Sequence, residues 1–320
     1  MTFCGAASSN VGDAGNLFFS GGMTMEWTPG GMSDDVEDRR GDSGGGGGFG
    51  IGGGGGLGIV GVGVLLLVSL VTGRNYIGQY LGMSGGGQQQ QSQRVDNGQP
   101  VQESAAEHRQ AQLVSFVLDD VQKMWTTVMP EQTGKNYRHA HLVLYRDELQ
   151  GGCGDAQSST GPFYCPQDEK VYIDLSFWDE LKRIGGDAGD FAQGYVVAHE
   201  LGHHVQKILG TEGKVTQAMQ SNPGQRNALS VKLELQADCY AGIWGHSMKE
   251  RGKLDEADVD DALKAAAAVG DDHLQKMSGR SVSPESFTHG TSAQRIAWFK
   301  RGMESGQVSS CKTFAGSSDE

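Results

Sequence analysis

No cluster of lysine and arginine runs through these 320 residues, and acids outnumber bases, with 39 Asp and Glu against 26 Lys and Arg and a formal net charge of −13. A nucleic-acid binder needs a dense basic face to displace counterions from phosphates, so that class is excluded. The 51 glycines lack a G-X-Y period, which excludes collagen. Five cysteines are too few to frame a disulfide-dense miniprotein. No internal repeat is found.

The glycine that is present is unevenly placed. Residues 1–100 hold 29 of the 51, fifteen of them between Gly41 and Gly63. Glycine loses the most backbone entropy on folding and has no side chain to bury, so residues 1–50 are expected to form a disordered, Gly-rich segment. Between Asp42 and Arg74 lie 31 residues without charge, and Leu57–Thr72 is strongly apolar. With the glycines ahead of it, this run reaches the length of a membrane span, and 51–73 is expected to be one uncleaved transmembrane helix. It begins too far in, behind an acidic segment, for a signal peptide. Arg39 and Arg40 before it, against Arg74 after it, tilt the N-terminus inward. Residues 74–104, with Gly85–Gly87 and Gln88–Gln91, form a polar linker. That leaves 105–315 as one domain of ordinary size.

The domain reads as α+β and predominantly helical. Val114, Val117, Leu118, Val121, Trp125 and Val128 recur at helical steps, in a helix expected to end near Pro130. His141–Tyr145 and Val171–Leu175 are strand-like, and an irregular loop with a cysteine at each end lies between them. Helices are expected at 177–184, 191–209, 225–250, 256–268 and 292–304.

The informative stretch is His199-Glu-Leu-Gly-His203. Histidines four apart share one helix face and can ligate one Zn²⁺, and Glu200 then lies where a carboxylate can take a proton from a zinc-activated water. The alternative is a surface helix with incidental histidines, disfavoured by apolar Val196, Val197, Leu201 and Val205 around it. The metzincin continuation is absent, because Gln206 and Leu209 stand where glycine and histidine are required. Glu234 is the candidate third ligand. Asp238, one turn on, is the candidate acceptor for the free N–H of a ligand histidine. His289, Tyr240 and Tyr195 are candidate oxyanion donors, with His289 preferred. His204 is rotated about 100° from His203 and is not expected to ligate, and His246 reads as a packing histidine.

These motifs, with Asp35–Arg40, Gly161–Pro166, Val171–Asp174, Glu234–Trp244 and Phe287–Arg295, resemble in order those of a bacterial family of neutral zinc metallopeptidases. The resemblance spans about residues 24–315, and Met23 and Met25 offer alternative starts. It implies a zincin-like fold, zinc, and hydrolysis of peptide bonds in a peptide or protein substrate. It also implies a single membrane span. A zincin usually presents a strand edge beside its metal for an extended peptide, and His141–Tyr145 or Val171–Leu175 is expected to serve. Cys153 with Cys165 and Cys239 with Cys311 can pair, the alternative being four free thiols; pairing suits an extracytoplasmic domain on an inner or plasma membrane. The alternative function is a non-catalytic zincin that binds a peptide or partner at the cell envelope.

Overall fold

The structure, a computed structural model, describes residues 25–42 and 101–314. The expected transmembrane helix at 51–73, the glycine runs and most of the linker lie outside the described residues. Among the described residues no helix is long and apolar enough to cross a membrane.

Among the described residues, six short strands and eight α-helices follow one another: β1 (Val36–Asp38), α1 (Ala105–Thr133), β2 (His141–Tyr145), β3 (Glu148–Gly151), β4 (Gly154–Gln157), β5 (Phe163–Cys165), β6 (Lys170–Asp174), α2 (Phe177–Arg183), α3 (Asp190–Leu209), α4 (Thr211–Ser221), α5 (Arg226–Glu250), α6 (Glu256–Ala268), α7 (Asp271–Met277) and α8 (Ser292–Ser305). The α+β, mainly helical class is as expected. One sheet has the order β1-β2-β6-β5, with β1, β2 and β6 parallel and β5 antiparallel to β6. A separate hairpin, β3–β4, occupies part of the stretch expected to be irregular. Cys153–Cys165 and Cys239–Cys311 are both disulfides. The first closes the loop that carries the hairpin, and the second ties α5 to the C-terminal segment.

Hydrophobic periodicity located the long helices to within a residue or two. α1 runs through Pro130 instead of ending there. A proline in the last turn removes a single bond, and Gly134, in the left-handed region (φ 71°), then closes the helix by donating its N–H to the Pro130 carbonyl. α4 and α7 were not anticipated. α4 buries only Val215 and Met219, and α7 is a seven-residue helix, so neither carries a long apolar stripe.

Residues 25–42 correct the expectation of disorder across 1–50. β1 pairs with β2 in the register Val36↔Leu142, Glu37↔Val143, Asp38↔Leu144. Met25 lies in the main core with 2% of its surface exposed, and its N–H donates to Asp258 Oδ1 at 2.8 Å. Arg40 is buried among carboxylates, held by Asp38 at 2.6 Å and Glu103 at 2.7 Å. Composition hid this segment because it packs a few residues into a core built elsewhere. Removing a buried side chain loses its transfer free energy and leaves a cavity, so Met25→Ala should destabilise the protein by about 2–5 kcal/mol. Met32→Ala, at a side chain 41% exposed, should change stability by no more than about 0.5 kcal/mol. Urea unfolding of the full chain measures both, and equal effects would refute the packing role of the N-terminal segment.

Candidate metal centre

α3 is buried along most of its length, and α5 crosses it closely. A Cβ on Gly202 would come within 3.0 Å of the Ala237 carbonyl, so a residue without a side chain is needed where the two backbones meet. That approach brings Glu234 and Asp238 of α5 to His199 and His203 of α3. One ligand atom from each of His199, His203 and Glu234 lies within 4.8 Å of the others, and all three residues are buried. The sequence-derived ligand set is brought together as expected.

Hydrogen bonds decide which ring nitrogens face the centre. His199 Nδ1 is 2.9 Å from Asp238 Oδ1, and its Nε2 is 3.2 Å from Glu234 Oε2. His203 Nδ1 is 2.9 Å from Gln206 Oε1, and its Nε2 is 3.7 Å from Glu234 Oε1. The Gln206 amide nitrogen donates to the Leu233 carbonyl and to Gln236, which turns its oxygen toward His203. Both histidines therefore engage an oriented acceptor through Nδ1 and turn Nε2 toward Glu234, so Nε2 is the nitrogen each can offer a metal once it carries no proton. His204 has both ring nitrogens engaged, by the Tyr164 hydroxyl at 2.9 Å and the Arg138 carbonyl at 2.8 Å, and is not a ligand. His246 bonds the Met303 carbonyl, as a packing histidine does.

Three buried polar atoms here have no hydrogen-bond partner: Glu200 Oε2, His203 Nε2 and His289 Nε2. Leaving such groups unpaired costs about 1–3 kcal/mol each, and Glu234's charge acts on the titration of all three residues. Two imidazoles and a carboxylate that bring ligand atoms within 4.8 Å of one another, with unpartnered atoms on Glu200 and His203, fit a metal ion with an open coordination position.

The electrostatics agree. Burial pushes the Glu200 carboxyl up to about 7, and the negative charge of Glu234 adds to the shift. Burial pushes His203 down to about 4. Burial also works against a charged His199, but the Asp238 carboxylate, with Glu234, outweighs it and lifts the imidazole to about 9. Glu234 and Asp238 are held well below the usual carboxylate range against the effect of burial, Glu234 by the surrounding imidazoles and Asp238 first by Arg295.

Arg295 of α8 was given no role in the sequence reading. It grips Asp238 with Nε and a terminal nitrogen, each at 2.8 Å, and lies 3.2 Å from the Tyr195 hydroxyl. Tyr195 itself donates to Asp238 Oδ1 at 2.6 Å. Tyr195 thus stands behind the centre, and Tyr240 packs edge-on against Trp125 of α1; neither is in place to stabilise an oxyanion. His289 is in place. The Asp271 carboxylate accepts the backbone N–H groups of Thr288, His289 and Gly290 at 2.8, 2.6 and 2.9 Å. Its other oxygen is 3.2 Å from His289 Nδ1, which leaves Nε2 as the free donor. Burial opposes a charged His289, yet Asp271 raises its pKa. Gln206 was legible from its three-residue spacing to His203, but Asp271 carries no local signal linking it to His289.

The sheet corrects the expected substrate edge. β2 lies between β1 and β6, and β6 between β2 and β5, so both named strands are interior. The edge beside α3 is β5, where the Tyr164 backbone N–H bonds the Glu200 carboxylate. Phe163 and Cys165 face Tyr172 and Lys170 of β6, and Tyr164 sits between them.

Residues 25–314 match the family described as "Putative neutral zinc metallopeptidase", and the chain belongs to that family. It is similar to "Uncharacterized protein YpfJ" of Escherichia coli (strain K12), 48% identical over 292 residues that cover 91% of this chain and 99% of that protein. It is also similar to "Uncharacterized protein Rv2575" of Mycobacterium tuberculosis (strain ATCC 25618 / H37Rv), 40% identical over 208 residues that cover 62% of this chain and 68% of that protein. No solved structure matches.

A histidine that holds a proton up to about pH 9 must release it to ligate. Metal binding to the metal-free protein between pH 7.5 and 8.5 should therefore expel about one proton, and affinity should rise about tenfold per pH unit. Calorimetry in buffers of different ionisation enthalpy reads the proton count, and a count of zero would refute this assignment of His199.

Proposed function

We propose that this chain is a zinc metallopeptidase that hydrolyses peptide bonds, with His199, His203 and Glu234 as the ligands. The observation that carries this reading is the pairing of that ligand set with a buried, partnerless Glu200 oxygen. A bound Zn²⁺ supplies the charge that polarises the scissile carbonyl and acidifies the attacking water. Glu200 takes that water's proton and passes it to the leaving amine nitrogen; a carboxyl raised to about 7 is suited to both transfers. His289 donates from Nε2 to the oxygen that gains charge, held in place by Asp271. β5, the terminal strand of the sheet on the side of α3, is the edge to which an extended peptide can add as a further strand. Two disulfides support an extracytoplasmic site for the domain, with the apolar run at 51–73 as its attachment to the membrane.

The test uses the full chain, its zinc content and a diverse peptide library. Glu200→Gln should retain zinc and lose at least about 10²-fold in kcat. His289→Ala should retain zinc and lose about 10²–10³-fold in kcat. Stoichiometric zinc in a wild-type protein that cleaves nothing would replace the enzyme with a peptide-binding domain. Cleavage that survives in Glu200→Gln would remove Glu200 as the base.

A further inference from the structure

The described residues stop at Asp42 and resume at Val101, and these two ends are fastened together. Ahead of the departure, the Arg39 N–H donates to the Leu144 carbonyl at 2.8 Å, and the Leu142 N–H donates to the Asp35 carbonyl at 2.9 Å, so β1 is a full member of the sheet. Trp27 Nε1 donates to Asp190 at 2.7 Å, and the Glu26 N–H to the Lys253 carbonyl at 3.0 Å, which docks the same segment on α3 and on the residues after α5. Arg40 reaches across to the returning chain, 2.7 Å from Glu103 and 3.3 Å from Glu107. A Cβ on Gly41 would stand 3.6 Å from a methyl of Val101.

We infer that residues 25–42 and 101–314 occupy one compartment, so that the chain between them makes no net crossing of a membrane. Strands joined by hydrogen bonds of about 3 Å cannot lie on opposite sides of a hydrocarbon core about 30 Å thick. A single crossing at 51–73, with the N-terminal flank inside and the domain outside, would strip β1 from β2 and separate Arg40 from Glu103. Opening a buried ion pair of this kind is strongly unfavourable, since it leaves an uncompensated charge. Leu57–Thr72 has sixteen residues, fewer than the roughly 40 that two helical crossings need. The N-terminal flank therefore stays on the side of the domain. On the extracytoplasmic reading above, that flank is outside too; the shared compartment itself does not depend on that reading.

The test follows single thiols in the full-length protein. Cys4→Ser leaves the four remaining cysteines in disulfides. Gly30→Cys reports the N-terminal flank and Gly224→Cys the domain; both positions are exposed, with nothing within 4 Å of an added Cβ. A membrane-impermeant maleimide on intact cells should reach both reporters to the same extent, either both before lysis or both only after it. One reporter labelled before lysis and the other only after it would overturn the inference. Independently, Gly41→Cys with Val101→Cys should cross-link on mild oxidation of membranes carrying the full chain, while Gly30→Cys with Val101→Cys should not. Failure of the first pair to cross-link in protein that retains zinc would also overturn it.

Discussion

The close crossing of α3 and α5 at Gly202 and Ala237 is the constraint on which the candidate centre depends. With the backbones in contact there, Glu234 and Asp238 flank the point of closest approach and meet His199 and His203 from the facing helix. A methyl group at Gly202 would press on backbone rather than on a flexible side-chain tip, so the helices would have to part. The same logic recurs between α5 and α8, where a Cβ on Gly242 would fall 2.1 Å from the Phe299 carbonyl. That second contact carries Arg295 to Asp238. Three helices thus share one buried charge network, and backbone-to-backbone packing sets its dimensions.

The network also explains how so much charge is tolerated without water. Asp238 meets a bidentate guanidinium, a tyrosine hydroxyl and an imidazole N–H, and Asp271 meets three backbone N–H groups and a second imidazole. Each anion is surrounded by donors, the condition under which buried charge is tolerated. Among the described residues, three of the eight buried side-chain atoms left without partners belong to Glu200, His203 and His289.

Much of the fold was legible because the long helices carry apolar stripes several turns long. α3, α5, α6 and α8 fell within a residue or two of their expected bounds. The α4 and α7 helices and the β3–β4 hairpin did not stand out, since each buries few side chains and owes its form to neighbours. The β1 segment was misread for the same reason: Met25 and Arg40 are isolated anchors in a polar, glycine-flanked stretch. Strand order was out of reach as well. Alternation identifies a strand but not its neighbours, so β2 and β6 passed as candidate edges until β1 and β5 were seen to flank them.

The sequence by itself determined the chemistry on offer. His199, Glu200 and His203 sit at spacings that any helix would place on adjoining faces, Glu234 and Asp238 lie one turn apart, and two cysteine pairs were available to close loops. Local geometry suffices there, because 3.6 residues per turn is independent of tertiary context. Only the tertiary structure decided which residues orient that chemistry. It brought Gln236 behind Gln206, Arg295 to Asp238, Asp271 under His289 and Tyr164 to Glu200, partners separated by 18 to 57 residues. It also returned residues 25–42 to the domain across the glycine-rich stretch. Contacts between distant parts of a chain are set by how elements pack, and no periodicity along the sequence records them.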